Sequence, residues 1–235
     1  MMHEAATHES NSFITLTYDE SNLPKDMSLD VTHWQKFMKR LRKKLGPTRF
    51  YHCGEYGGKF GRPHYHAILF GQDFSADRKR IPGKGNPRYT SGTLQDLWGM
   101  GATDIGEVNH TTTNYVAGYI TKKITGPLAE DHYQGRKPEY STMSRRPGIG
   151  AGYLEQWGDQ LFPRDETIVK GKPVQLPDYY MKRAEKLFPE MVEEMKKKRR
   201  THFNTNPSDN TPERLAVRGE VRERINNQFT REPDK

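Results

Sequence analysis

One stretch, GRPHYHAILF at residues 61–70, carries the strongest structural and chemical signal in this chain. Its aliphatic and aromatic residues predict a β-strand from His64 to Phe70. Residues two apart in a strand project from the same face, so His64 and His66 point together. Two imidazoles on one rigid strand form a platform for a divalent metal ion.

A second strand is predicted from Arg49 to Glu55. The residues between the strands include Gly57, Gly58 and Gly61, which favour a hairpin and therefore antiparallel pairing. The hairpin brings Glu55 opposite His64 or His66, as the third ligand of a site that keeps open positions for water and a substrate oxygen. A bare His-x-His pair is also typical of two surface histidines, and the carboxylate on the paired strand favours the metal site.

Further elements are predicted on both sides of this hairpin. Strands are expected at 12–18 and 103–108, and helices at 28–45, 93–98 and 111–124. Residues 73–92 are rich in Gly, Pro, Lys and Arg and predict a mobile basic loop. Strands separated by a hairpin or by helices indicate an α+β fold, with a central antiparallel sheet and helices packed on it.

The predicted helix at 28–45 has one strongly basic face. Its apolar stripe ends at Gly46-Pro47, and Asp30 or Thr32 can cap its start. The basic face contains no acidic residue and consists of Lys36, Lys39, Arg40, Arg42, Lys43 and Lys44. Such a run is usually a solvated face, but without acidic partners at i+4 it favours contact with phosphates.

The second chemical signal is the stretch NYVAGYITKK at residues 114–123. On a helix, Tyr115 and Tyr119 lie one turn apart, with Lys122 on nearly the same face. Val116 and Ile120 form a separate stripe for the sheet, so the tyrosines need not be core residues. An arbitrary tyrosine pair is usually structural, but a phenol beside a metal site can act as a covalent nucleophile on phosphorus. A nearby lysine can neutralise charge that develops on the phosphate.

Composition narrows the classes of function. The chain has 235 residues and a formal charge of +8, with 38 Lys and Arg against 30 Asp and Glu, and 12 tyrosines. Basic charge with many aromatic residues suits single-stranded nucleic acid, although a basic protein with no special partner has the same composition. No run reaches the roughly 18 apolar residues of a membrane span. Residues 1–10 lack the apolar segment of a secretory signal. The single Cys53 excludes disulfides and a cysteine-based zinc cluster, and indicates a reducing compartment.

The sequence changes character after Gly126. Residues 140–152 are polar, basic and glycine-bearing, with no predicted element. Beyond them the patterns predict a helix at 153–161, a hairpin at 167–175, a helix at 178–200 broken near Pro189, a linker at 201–210 and a helix at 211–229. No internal repeat is present.

Four blocks together resemble an HUH-type rolling-circle replication initiator, closest to those of microvirus-like and gokushovirus-like single-stranded DNA bacteriophages. They are FITLTY (13–18), HYH (64–66), YVAGYITKK (115–123) and SRRPGIG (144–150). The resemblance implies an HUH endonuclease domain over residues 1–160, followed by a basic, mainly helical extension over 161–235. The phage relatives carry a longer N-terminal segment, so an altered origin specificity is expected here.

The resemblance also implies roles for individual residues. The metal ligands would be His64, His66 and Glu55, while Tyr65 would face away from the metal. The tyrosines would cleave and join DNA, and two lysines match the family's lysine positions, so the catalytic group would be Tyr115, Tyr119, Lys122 and Lys123. DNA binding is expected at Lys36, Lys39, Arg40, Lys43, Arg62, Arg145 and Arg146.

The function expected from these features is site-specific nicking and rejoining of a phage origin through a 5′-phosphotyrosine. Mg²⁺ or Mn²⁺ is the expected cofactor. A single-stranded DNA origin and a host helicase or replication machinery are the expected partners, in the cytoplasm of the bacterial host and without a membrane. Two alternatives remain open: a relaxase or transposase with the same chemistry, and a non-catalytic single-stranded DNA-binding or packaging protein.

Overall fold

A seven-stranded sheet organises the first part of the molecule. The computed structural model describes residues 1–58 and 60–228, except for the side chains of residues 120–122 and 226–228. Among these residues, a first compact unit ends at Ile149 and a second begins at Gly150. The strands of the first unit are β1 (Asn11–Thr17), β2 (Arg49–Tyr56), β3 (Pro63–Phe70), β4 (Lys79–Ile81), β5 (Arg88–Thr90), β6 (Thr103–Gly106) and β7 (Tyr140–Met143).

The strand order is β4-β5-β6-β1-β3-β2-β7, and every neighbouring pair is antiparallel. The helices of this unit are α1 (Met2–Ala5), α2 (Val31–Leu45), α3 (Gly92–Trp98), α4 (His110–Lys122) and α5 (Leu128–Tyr133). The predicted α+β architecture is thereby confirmed: an antiparallel sheet flanked by helices, as in the HUH endonuclease fold.

Helices α2 and α3 cover one face of the sheet, called here the α2 face. Helix α2 begins one turn later than the pattern predicts, because Asp30 has extended backbone and its side chain caps the helix by accepting a hydrogen bond from the Thr32 amide. Alternate residues of β1 and β3 point into this core. The core includes Ile14, Leu16, Trp34, Phe37, Leu41, Tyr65, Ala67, Leu69, Leu94 and Trp98.

Helix α4 packs on the opposite face, called here the α4 face. Val116 is fully buried there, as its stripe predicts. Tyr119 is also buried, at 2% exposure, whereas the sequence pattern allowed both tyrosines to lie outside the core. The reason is geometric: a helix packed flat on a sheet buries an arc wide enough to include the residue three positions after Val116. The core of this face includes Tyr51, Cys53, Ile68, Phe70, Val116 and Tyr119.

Two segments predicted as irregular contain strands. Residues 73–92 were expected to form a loop, but they contain β4 and β5, which pair with each other and extend the sheet beyond β6. Residues 140–152 include β7, which pairs along β2. Short polar edge strands carry little hydrophobic periodicity, so their formation depends on backbone pairing with a neighbour that is distant in sequence.

The second unit is mainly helical, as the sequence predicts. It contains α6 (Ala151–Leu161), β8 (Glu166–Val169), β9 (Lys172–Gln175), α7 (Asp178–Leu187), α8 (Pro189–Thr205), a 3₁₀ helix (Pro207–Asn210) and α9 (Pro212–Gln228). Its own core includes Leu154, Phe162, Tyr180, Ala184, Val192 and Met195.

Two boundaries in this unit differ from the sequence expectation. The expected linker at 201–210 is largely helical, because α8 continues until Pro207 removes an amide donor and starts a 3₁₀ turn. The observed units divide at Gly150, so α6 belongs to the second unit; whether the catalytic domain extends to residue 160 stays a prediction. Within the described part of the chain, no helix combines the length and apolarity needed to span a membrane.

Candidate metal and tyrosine site

Three side chains of the sequence-predicted metal site converge on the α4 face. Antiparallel pairing of β2 and β3 sets Glu55 opposite His64, while His66 pairs with Cys53 two residues along. Oε1 of Glu55 lies 2.6 Å from Nε2 of His64 and 2.9 Å from Nε2 of His66. One ligand atom from each residue falls within a 4.8 Å cluster. The predicted hairpin therefore brings the three candidate ligands together.

The second nitrogen of each imidazole is held by a neighbour. Nδ1 of His64 lies 3.1 Å from the carbonyl oxygen of Arg62, and Nδ1 of His66 lies 3.0 Å from Oγ1 of Thr15. When Nδ1–H donates to these oxygens, the lone pair of Nε2 faces the cluster, as in metal-binding histidines. Sequence reasoning missed Thr15. The available signal was alternation in β1, which places Phe13 and Thr15 on the face that pairs with His66.

Electrostatics keep the carboxylate of Glu55 ionised. Burial opposes ionisation, but hydrogen bonds from His64 and His66 and their charge outweigh it and lower the pKa of Glu55 to about 2. A buried carboxylate and two imidazole Nε2 atoms are the donor set that a divalent first-row metal or Mg²⁺ accepts. The residues present therefore fit a divalent ion, and one carboxylate with two imidazoles leaves coordination positions for other oxygens.

The two tyrosines of α4 both reach this cluster but occupy different environments. The hydroxyl of Tyr115 lies 3.4 Å from Nε2 of His66, and the Tyr115 side chain is partly exposed. The ring of Tyr119 is buried and stacks on the His66 ring, with centroids 5.6 Å apart and planes 10° apart. The two phenol rings meet edge to face at 5.0 Å. Tyr115 is therefore the tyrosine whose hydroxyl is both near the cluster and accessible.

The remaining catalytic candidates are the lysines at the end of α4. Lys123 is exposed at the C-cap of the helix. The side chain of Lys122 lies outside the described residues. The assignment of an assisting role to either lysine stays a prediction.

Most of the candidate DNA-binding residues lie away from this cluster. Exposed side chains of α2 project from the α2 face, on the other side of the sheet, and these include Lys36, Lys39 and Lys43. Arg145 and Arg146 are exposed, and Arg145 lines a groove of about 530 Å³ together with Lys39.

Two of these arginines are occupied by structural contacts. The guanidinium of Arg40 donates to the carbonyl oxygens of Leu97 and Trp98, at 2.8 and 3.1 Å. That of Arg62 pairs with Glu20 and donates to the Tyr18 carbonyl oxygen at 3.0 Å. Their role in DNA binding stays a prediction.

Comparison with known proteins gives one family match and several relatives. Residues 11–124 match the family described as replication-associated protein ORF2. The replication-associated protein VP4 of Bdellovibrio phage phiMH2K is 32% identical over 199 residues, covering 80% of this chain and 62% of the relative. ORF4 of Chlamydia phage 1 is 32% identical over 198 residues, covering 80% and 49%. ORF2 of Spiroplasma virus 4 is 33% identical over 194 residues, covering 75% and 58%.

These matches agree with the motif resemblance. The chain spans about half to three fifths of the length of the relatives it matches. No solved structure matches it. The matched region, residues 11–124, contains the three candidate ligands and both tyrosines of α4. The chain therefore belongs to the replication-associated proteins of the microvirus-like single-stranded DNA phages.

Proposed function

We propose that this protein initiates phage DNA replication by nicking a single-stranded DNA origin and later rejoining the strand. The cut leaves a 5′-phosphotyrosine on the protein and a free 3′-hydroxyl on the DNA. The relatives are named as replication-associated proteins, and a free 3′-hydroxyl is the primer that a polymerase needs. The proposed compartment is the cytoplasm of the bacterial host, where the origin and the host replication machinery are its partners.

One observation carries this proposal. An accessible phenol hydroxyl lies 3.4 Å from a candidate metal ligand, beside a buried Glu-His-His cluster on a rigid sheet. A structural tyrosine needs no such neighbour, and a metal site without a nucleophile would not need α4. The juxtaposition supports tyrosine transesterification rather than simple DNA binding.

The proposed step conserves bonds and protons. The phenol of Tyr115 loses its proton and its oxygen attacks the scissile phosphorus, while the bond from phosphorus to the 3′ oxygen breaks and that oxygen gains a proton. The new phosphotyrosine ester keeps the energy of the broken ester, so a DNA 3′-hydroxyl can reverse the reaction and join strands. The protein orients the phenol by stacking its ring against His66 and Phe13.

Glu55, His64 and His66 would hold Mg²⁺ or Mn²⁺ next to this phenol. The bound ion would supply Lewis-acid polarisation of the phosphate oxygens. Thr15 and the Arg62 carbonyl orient the imidazoles, so that each Nε2 stays directed at the cluster. The exposed lysine at position 123, or its neighbour Lys122, is proposed to neutralise charge on the phosphate.

Tyr115 is proposed to attack first and Tyr119 second. The hydroxyl of Tyr115 is accessible in this structure, whereas Tyr119 is buried and must leave its stacked position to reach a phosphate. Two tyrosines one helical turn apart would allow a second transfer before the first adduct is released.

The test is a denaturing gel of the protein incubated with labelled single-stranded DNA from the genome that encodes it. A covalent protein–DNA band is expected only with Mg²⁺ or Mn²⁺, and it should disappear in the Tyr115→Phe/Tyr119→Phe double variant. Salt-sensitive binding without an adduct under either metal would contradict the proposal and favour a binding protein.

A further inference from the structure

A cleft opens beside the metal and tyrosine cluster, on the β5 and β6 side. Its volume is about 400 Å³, and its lining includes His66 and Tyr115 at the inner end. The loop that precedes β5 contributes Asn86 and Pro87 to the outer wall. A cleft of this size holds a nucleotide unit rather than a metal ion alone. Because it shares two residues with the cluster, whatever occupies it lies next to the attacked phosphate.

The inner walls of the cleft are aromatic. Phe13 meets the Tyr115 ring edge to face, with centroids 6.1 Å apart, and stacks on the His66 ring at 5.6 Å. Unpaired bases of single-stranded DNA stack on such rings. Stacking is tolerant of sequence, so these walls by themselves would accept any base.

The polar wall of the cleft is able to discriminate between bases. Asp104 lies beside Thr15 in the sheet, and its carboxylate is held by Arg88 of β5. Nε and Nη2 of Arg88 donate to the same oxygen, Oδ2, at 2.8 and 2.6 Å. Arg88 therefore does not use Oδ1 of Asp104, and the ion pair presents a fixed carboxylate oxygen to the cleft. A carboxylate oxygen accepts hydrogen bonds from amines and repels carbonyl oxygens.

We infer that this cleft is a base-selecting subsite, in which Asp104 accepts a hydrogen bond from the exocyclic amine of the base next to the scissile phosphate. Adenine, cytosine and guanine carry such an amine, whereas thymine presents carbonyl oxygens and is rejected. The inference rests on the proposed nicking function and adds a position of base preference to it. Arg88 acts as a positioning residue that holds the carboxylate.

The experiment uses the full chain and a pool of single-stranded oligonucleotides randomised around the nick site. Covalent adducts are isolated and sequenced for the wild type, for Asp104→Asn, and for Asp96→Asn. Asp96 is exposed on α3, on the α2 face, and gives the same chemical change away from the cleft. Thermal unfolding shows whether each variant is folded, and Asp104→Thr replaces Asp104→Asn if the amide variant does not fold.

In the wild type, thymine should be depleted roughly tenfold at one position adjacent to the nick, the discrimination typical of one good base contact. Asp104→Asn should lose this depletion, because its amide can donate to a thymine carbonyl, and Asp104→Thr should lose it because the carboxylate is gone. Asp96→Asn should match the wild type.

The failures of the two proposals are distinguishable. Adducts with identical base frequencies in the wild type and the Asp104 variants would overturn the subsite and leave nicking intact. Absence of adducts in the wild type would remove the nicking proposal. Fluorescence anisotropy with oligo-dC and oligo-dT then decides the subsite separately. A preference for oligo-dC that Asp104→Asn abolishes supports it, and equal affinity in both proteins overturns it.

Discussion

The two faces of the central sheet are made by the same strands but have opposite chemistry. On the α4 face, β2 and β3 present the ionisable side chains of Glu55, His64 and His66 beside a tyrosine. On the α2 face, the intervening residue Tyr65 is fully buried in an apolar core. The hydroxyl of Tyr65 is anchored to Tyr18 at 2.7 Å and to the backbone of residue 30 at 2.9 Å.

This difference shows how a sheet separates rigidity from reactivity. Period-two alternation lets every second residue of β3 serve packing, so the residues between them can be polar without dissolving the core. Tyr65 faces away from the cluster, as the sequence predicts, and helps to fix the backbone that carries both imidazoles. We therefore expect substitutions on the α4 face to change chemistry and substitutions on the α2 face to change stability.

The largest effect on chemistry is expected for Tyr115→Phe. Removing the attacking oxygen should slow adduct formation by roughly a thousandfold or more. The free energy of unfolding should change by less than about 1 kcal/mol, since the hydroxyl is partly solvated. The measurements are initial adduct rates on denaturing gels and urea unfolding. Tyr119→Phe is the matched control, and a larger loss of the first cleavage in that variant would assign the first attack to Tyr119.

On the α2 face, Trp34→Ala should act on stability instead. The Trp34 ring is 2% exposed and stacks on His52 with centroids 3.8 Å apart. Its removal leaves a cavity that should cost about 3–5 kcal/mol in urea unfolding. The exposed neighbour Gln35→Ala should cost little. Adduct formation per folded molecule should stay close to the wild type, and a large loss in folded protein would break the comparison between the faces.

A smaller effect is expected for Thr15→Val, which removes the hydroxyl beside Nδ1 of His66. Loss of such a hydrogen bond to a metal-binding histidine typically lowers metal affinity about 10–100-fold. Calorimetric titration with Mn²⁺ measures it. Thr17→Val is the control on the same face of β1, because Oγ1 of Thr17 donates to the Ala102 carbonyl and not to a ligand. Equal affinities in both variants would show that Thr15 does not orient His66.

The buried His52 of the α2 face should make stability depend on pH. Burial lowers the pKa of His52 well below its usual value, followed by the effect of His66. The unfolded chain therefore binds a proton below about pH 6.5 that the folded chain refuses, and stability falls as the pH falls through that value. Between about pH 7 and about pH 5.5 the wild type should lose roughly 1 kcal/mol more than His52→Gln in urea unfolding. Equal losses would mean that His52 takes up its proton in the folded state.

The smallest effect tests whether the α2 face also binds DNA. Lys39 is exposed beside the groove that Arg145 lines. If it contacts a phosphate, Lys39→Gln should reduce the slope of log affinity against log salt by about 0.7 for single-stranded DNA. Anisotropy titrations at several salt concentrations measure the slope. An unchanged slope would leave DNA binding to the α4 face, and the exposed Lys25→Gln provides a control outside the groove.

Local patterns in the sequence determined the elements with strong periodicity and the identity of the reactive groups. The alternation around Tyr65 predicted that His64 and His66 share a face, and the glycines of residues 57–61 predicted the hairpin that returns Glu55 to them. These features depend on neighbours within about 10 residues, and backbone geometry converts such spacing directly into direction.

Only the tertiary structure decided which surfaces meet. The edge strands β4, β5 and β7, the contact of Thr15 with His66, and the burial of Tyr119 all depend on pairing or packing between segments far apart in sequence. The α2 basic face was visible in the sequence, but its position across the sheet from the metal and tyrosine cluster was not. Periodicity specifies which side of an element is buried, whereas the order of strands specifies what that side is buried against.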